Sequence, residues 1–456
     1  MLILAPGCSK VDERAPSERH DSSEQELTTS HELSLSLPKG VNLFEVALSS
    51  TLQVSIGPNA SVLRPGGFGA LANAGAGETD IGVSARVGSI ASQGHVRLRN
   101  RSTVDGDVKT GEPAISIGNA ATVTGSVLTG AALTPVRKLT WTISFGSGEQ
   151  DVVVGSGADR ALAPGAYRDV RVQPGATLRL SAGKYDLRTL RSLPNSHVVI
   201  DTTAGPVFIY VDGLLDIKEP LDADGAENRV LLGYLGTGVV SLAPPFAGTV
   251  VAPRATIKLG SGGYRGSFFA ETIEVGPRAE IAVESFAAWD VLFPPVPILD
   301  CVARFDATHA NALWGYENPL EIAVTIPVGP RNQLVPPEAT PITVFEPGRH
   351  EGVFWAPFGV PQLSWSLGGE TVTASAASRR CAFADLPPTS PTPLDSQGEG
   401  SSQPRPSLLP LIASNVFSGV TGAFLPGPVR PPPFAPRRFK FVIDDQTLGS
   451  DAICGP

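Results

Sequence analysis

The chain has 456 residues, too many for one ordinary hydrophobic core, so two or three domains are expected. Its 49 Gly and 42 Pro against only 17% charged residues favour short strands and many turns over helices, and 42% hydrophobic residues exclude general disorder. A net charge of −9 argues against a nucleic-acid partner, which needs a basic face.

Residues 1–8 end a short apolar run at Leu4-Ala5-Pro6-Gly7-Cys8. Small residues before a cysteine and a polar stretch after it resemble a bacterial lipobox, which implies cleavage and acylation at Cys8. The usual leucine three places before the cysteine is Ala5, and the basic region and most of the apolar core of a signal peptide are missing. A start upstream of Met1 would supply both. Residues 9–32 are polar and rich in Ser, Glu and Asp, which describes a tether with His20 and His31 in solvent.

From Glu32 onward apolar residues alternate: Leu33, Leu35 and Leu37, then Val46 and Leu48, then Leu52, Val54 and Ile56. Such alternation predicts half-buried strands. Residues 33–145 form a first solenoid block. Val96–Val108 aligns with Ile115–Val127, 19 residues on, and Val54–Val62 is a third version. Asn100 and Asn119 fall at the expected corners, where Asn tolerates left-handed backbone. Arg97, Arg99 and Arg101 alternate with Val96 and Leu98 as an outward stripe, either solvated or facing an acidic polysaccharide.

A break at Leu133–Arg137 opens a second block, residues 146–293. Leu162-Ala163-Pro164-Gly165-Ala166-Tyr167 returns as Leu180-Ser181-Ala182-Gly183-Lys184-Tyr185, placing Tyr167 and Tyr185 on adjacent coils. Val207–Val211 is nearly continuous and apolar, as expected of a strand buried on both faces. Pro253-Arg254-Ala255-Thr256-Ile257-Lys258-Leu259 recurs 24 residues later as Pro277–Val283, and earlier as Pro174–Leu180. Short strands recurring at this spacing signal a stacked β-solenoid, on the order of a dozen coils of roughly 20 residues. At about 4.8 Å per coil the rod would be roughly 50–60 Å long, with 33–48 and Phe286–Phe293 as caps.

The Gly-x-Tyr coils, the Val207–Val211 strand and the Gly248–Val283 segment resemble the right-handed parallel β-helix modules of "choice-of-anchor A" and pilus-associated bacterial surface proteins, over roughly 150–290. The Val-x-Gly-x-Val repeats before Arg137 are more loosely similar to bactofilin-type β-helices. The resemblance implies a surface location and a structural role, with no assigned activity.

Pro294-Pro295-Val296-Pro297 reads as a stiff hinge. Residues 298–385 then carry longer alternating strands, including Leu320–Ile326 and a Leu363–Leu367/Thr371–Ala374 hairpin turned by Gly368-Gly369, and predict a small β-sandwich. The string Trp314-Gly315-Tyr316-Glu317-Asn318-Pro319 resembles a sandwich module found beside β-helices in secreted bacterial proteins. Residues 386–436 are a Pro/Ser-rich linker, and 437–456 hold a last short strand, Phe439–Ile443.

The four cysteines are Cys8, Cys301, Cys381 and Cys454. With Cys8 acylated, Cys301 and Cys381 bracket the sandwich and are the favoured disulfide, though either with Cys454 is an alternative. Loop-closure entropy makes such a bond worth roughly 4 kcal/mol. No metal-ligand spacing occurs, and no cofactor is expected. Asp222, Asp224 and Glu227 faintly resemble a calcium loop but lack EF-hand spacing. A polysaccharide-cleaving β-helix projects carboxylates from one face, whereas Asp201, Asp212 and Asp216 are scattered around a strand; Glu317 and His350 can be read as an acid/base pair, but nothing in the sequence brings them together, and a turn fixed by Glu317 and Asn318 is the favoured reading. Gly260-Ser261-Gly262-Gly263 lacks the Lys and helix of a phosphate cradle and reads as a coil corner.

Two functions follow. One is a non-enzymatic, lipid-anchored protein of a Gram-negative outer membrane or cell surface, or a secreted one, with a structural, adhesive or assembly role and a surface-protein partner. The other is a polysaccharide-binding or polysaccharide-cleaving rod. A concave groove with clustered carboxylates and aromatics would favour the second, and a mixed-polar face the first.

Overall fold

The computed structural model describes residues 29–382, apart from 147, 149, 225, 307, 308 and 360. The chain divides into two units, at Phe286/Ala287. The first is a parallel β-solenoid of about 12 turns. Its longest face is a ladder of strands in the order Val127–Leu128, Val108–Thr110, Ile90–Ser92, Ala70–Asn73, Val46–Ile56, Phe268–Val275, Thr249–Leu259, Val230–Tyr234, Val207–Ile217, Gly183–Ser192, Gly165–Val172 and Val152–Val154.

That order is not the order of the sequence. The chain enters the rod in the middle, at Val46–Ile56, and winds to one end at Val127–Leu128. It then returns along the outside to the far end at Val152–Val154 and winds back, so its last coil stacks on its first. The Leu133–Arg137 break is the start of this return. Across the junction Leu48 pairs with Phe268, Ile56 with Val275 and Val62 with Ile281, all parallel. Gly57 N donates to Val275 O at 2.7 Å, and Ser61 N to Ala279 O at 2.9 Å. Gly57 and Gly276 meet so closely that a Cβ on Gly57 would lie 2.5 Å from the Gly276 carbonyl carbon. The inward column Ile117, Leu98, Ile81, Ile56, Val275, Leu259, Leu242 therefore runs unbroken from one block into the other.

The return segment explains Leu33–Leu37. Thr29–Leu37 pairs antiparallel with Arg137–Phe145, and the ribbon lies lengthwise on the solenoid's longest face rather than capping an end. Nine residues span about 30 Å, close to the ~24 Å between the strands that bear its anchoring bonds, Val46–Ile56 and Gly183–Ser192. One ribbon face is apolar and buried, with Leu33, Leu35, Leu37, Leu139, Trp141, Ile143 and Phe145. It covers Tyr210, Leu231, Val251 and Phe269, which point out of the bore yet are buried. This is why Val207–Val211 reads as continuously apolar. Ser49 Oγ donates to Ser36 O, Trp141 Nε1 to the Tyr210 hydroxyl and Lys184 Nζ to Ser144 O, at 3.0, 3.2 and 2.8 Å. Gly233 is needed beneath it, since a Cβ there would lie 2.6 Å from Leu33 Cδ1.

Coil corners are four-residue turns closed by a backbone bond, such as Ala60 N to Gly57 O and Ser102 N to Arg99 O. Their third residues hold positive φ: Asn59, Ser84, Arg101, Ala120, Asn195 and Arg278 lie between 56° and 60°. This matches type II turns. The left-handed residues are thus Arg101 and Ala120, one place after the expected Asn100 and Asn119. Asn100 instead caps the next coil, its Oδ1 accepting from Asn119 N at 2.9 Å.

The 24-residue copies are not stacked equivalents. Ile257 lies beside Val240 and Ile273, and Ile281 beside Tyr264 and Val62, on a different face. Both are fully buried, so the alternation was legible while the coil register was not. Tyr185 is buried, its hydroxyl donating to Leu162 O or Ser181 O at 3.0 Å. Tyr167 makes the matching bond to Ala163 O, but its register partner is Leu187 rather than Tyr185.

The second unit consists of antiparallel sheets. Val296–Arg304, His309–Asn318 and Gly348–Gly359 form one, and Asn332–Val335, Gln362–Leu367 and Glu370–Ser375 another. Trp314 of the first meets Trp365 of the second edge-on at 5.7 Å, both fully buried, which makes the pair sandwich-like. Gly368 and Gly369, both at positive φ, turn the predicted hairpin. Of Leu320–Ile326 only Val324–Thr325 is strand.

Candidate functional site: faces and ends of the solenoid

Several of the solenoid's outward charges pair across neighbouring coils. Arg99 grips Asp80 with two bonds of 2.8 and 2.7 Å, Arg97 meets Glu78 at 3.0 Å, and Arg179 grips Asp159. The arginine stripe is therefore charge-compensated at two of its three positions, with Arg101 at a corner. Hydrogen bonds from Arg168 and Arg179 hold the Asp151 and Asp159 carboxyls below the usual carboxylate range. Lys218 and Arg191 do the same for Asp216, at 2.7 and 3.1 Å. All remain acceptors over the working pH range, and none is tuned as a proton donor.

The carboxylates singled out in the sequence are not gathered. Asp201 ends His197–Asp201 in a separate sheet and accepts from Thr203 Oγ1 at 2.6 Å, whereas Asp212 and Asp216 lie on Val207–Ile217. Asp222 and Asp224 sit on the strand Leu221–Asp224 rather than in a loop of EF-hand type, and Glu227 is engaged by Arg265 at 3.0 Å. Among the described residues no group of three or more His, Cys, Asp or Glu is placed to hold a metal ion. Gly260–Gly263 is a coil corner between Thr249–Leu259 and Gly263–Arg265.

In the second unit, Glu317 pairs in register with Arg349 and His350 with Tyr316, so Glu317 and His350 point to opposite faces. Asn318 fixes the turn, donating to Ile322 O and Phe345 O at 2.8 Å and accepting from Leu320 N at 3.0 Å. Cys301 and Cys381 form a disulfide with Cα atoms 4.8 Å apart. Cys8 and Cys454 lie outside the described residues.

Two surface features remain that sequence reasoning missed. A groove of about 520 Å³ runs beside Thr29–Leu37, lined by Ser30, Glu32, Ser34, Lys138 and Arg254 among others. It is hydroxyl-rich, with one carboxylate and two cations. The other is the solenoid end at 115–128. There Ile117 and Val127 continue inward columns yet are 56% and 43% exposed, and Leu128 is 52% exposed. The sequence signal for it is the uncharged run between Glu112 and Arg137. No family model, curated protein or solved structure matches this chain.

Proposed function

We propose that this chain is a non-enzymatic bacterial surface protein in which a rigid solenoid, acylated at Cys8 and tethered through the polar stretch that precedes the Thr29–Leu37 strand, rather than through all of residues 9–32, serves as a spacer and assembly element for the sandwich-like unit. One observation carries the reading: several of the solenoid's carboxylates are tied to arginines on adjacent coils, as in Arg99–Asp80 and Arg179–Asp159. Groups held in that way stiffen a rod and leave little for acid/base chemistry. The anchor follows from the small residues before Cys8 and the polar stretch after it. An outer-membrane or cell-surface location follows from the anchor. Radiolabelled palmitate should enter the full chain expressed with a complete signal sequence, and Cys8→Ser should abolish it. Label surviving that substitution would refute the anchor.

The polysaccharide reading rests on the groove beside Thr29–Leu37. Its hydroxyls and cations suit a sugar acid, but it offers one carboxylate, Glu32, and no stacking platform larger than His31. A glycan array and a whole-cell binding screen separate the two readings. The spacer reading expects no glycan bound in a way that Arg254→Ala or Lys138→Ala weakens; a glycan lost with either change would replace it.

A further inference from the structure

We infer that the solenoid end formed by residues 115–128 is a self-association surface, where a second copy of this chain docks by the same coil to give a closed end-to-end dimer. The coil ends three ladders at once. Ser116–Ile117, Thr122–Val123 and Val127–Leu128 each have a strand neighbour on one side only among the described residues. Their other edges present unpaired backbone donors and acceptors. Inside them the columns that fill the bore stop at Ile117, Val123 and Val127, and the first and last of these are 56% and 43% exposed. An open row of strand edges around exposed apolar side chains is a template for further pairing.

The opposite end is built differently. Val152, Val154 and Leu162 are buried there, at 0, 1 and 4% exposure. The inward column that contains Leu178 stops at a charge, because Arg160 is the register partner of Leu178. Asp151, Asp159, Arg168 and Arg179 surround that end as exposed ion pairs. Charged residues on an edge block strand addition, so this end is protected. By contrast no charged residue occurs between Glu112 and Arg137, although 17% of the chain is charged.

The difference selects the occupant. Stacking the open end on the protected end of another copy in the rod's own register would set Arg160 against the apolar column that ends at Val123. Two open ends brought together bury apolar side chains against apolar ones, and no charge meets its own copy at the two-fold axis. Such a contact is isologous and closes at two copies. Strands run in opposite directions across the axis, so the added ladder is antiparallel, which short edge strands accept. The molecule already contains a coil-on-coil junction, parallel where this one is antiparallel, in which the coil at 268–283 docks on the coil at 46–62 through ladder bonds and matched apolar columns. The inference rests on the end coil alone and stands or falls apart from the surface role.

Sedimentation equilibrium of the full chain carrying Cys8→Ser tests it. A mass of two 47.4 kDa chains is expected. Leu128→Lys, at an exposed position, should weaken the dimer at least about tenfold in Kd with an unchanged melting temperature. Val153→Lys, on the exposed side of the protected end, should leave the dimer intact. A monomer up to about 100 µM, a mass growing past two chains with concentration, or equal sensitivity to Val153→Lys would overturn it.

Discussion

Arg101 holds φ at 58° in the third position of a corner, a conformation that costs an L-residue roughly 1–2 kcal/mol. The side chain is exposed. Arg101→Gly is therefore expected to raise the unfolding free energy by about 0.5–1 kcal/mol, part of the relief being offset by glycine's greater freedom when unfolded. Urea titration checks this, and a loss of stability would mean that the guanidinium contributes more than the backbone costs. Asp186 is the contrasting case. It lies under the ribbon at 8% exposure, with Lys184 Nζ at 2.9 Å from one oxygen and no hydrogen-bond partner for Oδ1 among the described residues. Burial pushes its carboxyl above the usual range despite the opposing pull of Lys184. The folded state therefore holds this proton more tightly than the unfolded chain does. That contribution is present below the ordinary carboxylate range and lost as pH rises through the raised value. Asp186→Asn should flatten this part of the pH dependence, gaining on the parent protein as pH rises above the ordinary carboxylate range; thermal melts that stay parallel through that rise would contradict it.

At the scale of strands, alternation was legible wherever one face is buried and the other wet, as at Val54/Ile56, Val96/Leu98 and Ile257/Leu259. Register was not, because a period of two records which way a side chain points and not which coil lies next to it. The Pro253–Leu259 and Pro277–Val283 copies share a corner chemistry that recurs on more than one face, so their likeness misleads about stacking. A truer signal was present in Ile56-Gly57-Pro58-Asn59-Ala60-Ser61-Val62 and Val275-Gly276-Pro277-Arg278-Ala279-Glu280-Ile281, which do stack. Their glycines permit the closest backbone approach at the junction. Ile257→Ala removes a side chain packed between Val240 and Ile273 and should cost about 2–5 kcal/mol. Because solenoid coils depend on their neighbours, hydrogen exchange should rise first in Val240–Leu242 and Phe268–Val275, before the Cys301–Cys381 unit responds. Faster exchange at Glu280–Ala282 ahead of those strands would restore the 24-residue register.

At the scale of the molecule, the sequence carried the solenoid, its coil number, the sandwich-like sheets and the Cys301–Cys381 pair. It hid the path of the chain. Leu133–Arg137 reads as a pause between consecutive blocks, and only the long-range pairing of Thr29–Leu37 with Arg137–Phe145 turns it into a return. The open end was hidden for a related reason: an uncharged run such as 113–136 reads alike whether it lies inside a rod or ends one. What holds the account together is that the first coil docks on the last. Ser55 and Glu274 are register partners on that junction, between the inward residues Val54/Ile56 and Ile273/Val275. Adjacent strands lie about 4.8 Å apart, within reach of a disulfide, whereas a rod wound in plain chain order would separate these positions by roughly 50 Å. Oxidation of the Ser55→Cys/Glu274→Cys protein should yield a peptide linked between positions 55 and 274 within one chain, with the native fold retained. Two free thiols at these positions in the folded, oxidised protein would contradict the doubled-back solenoid.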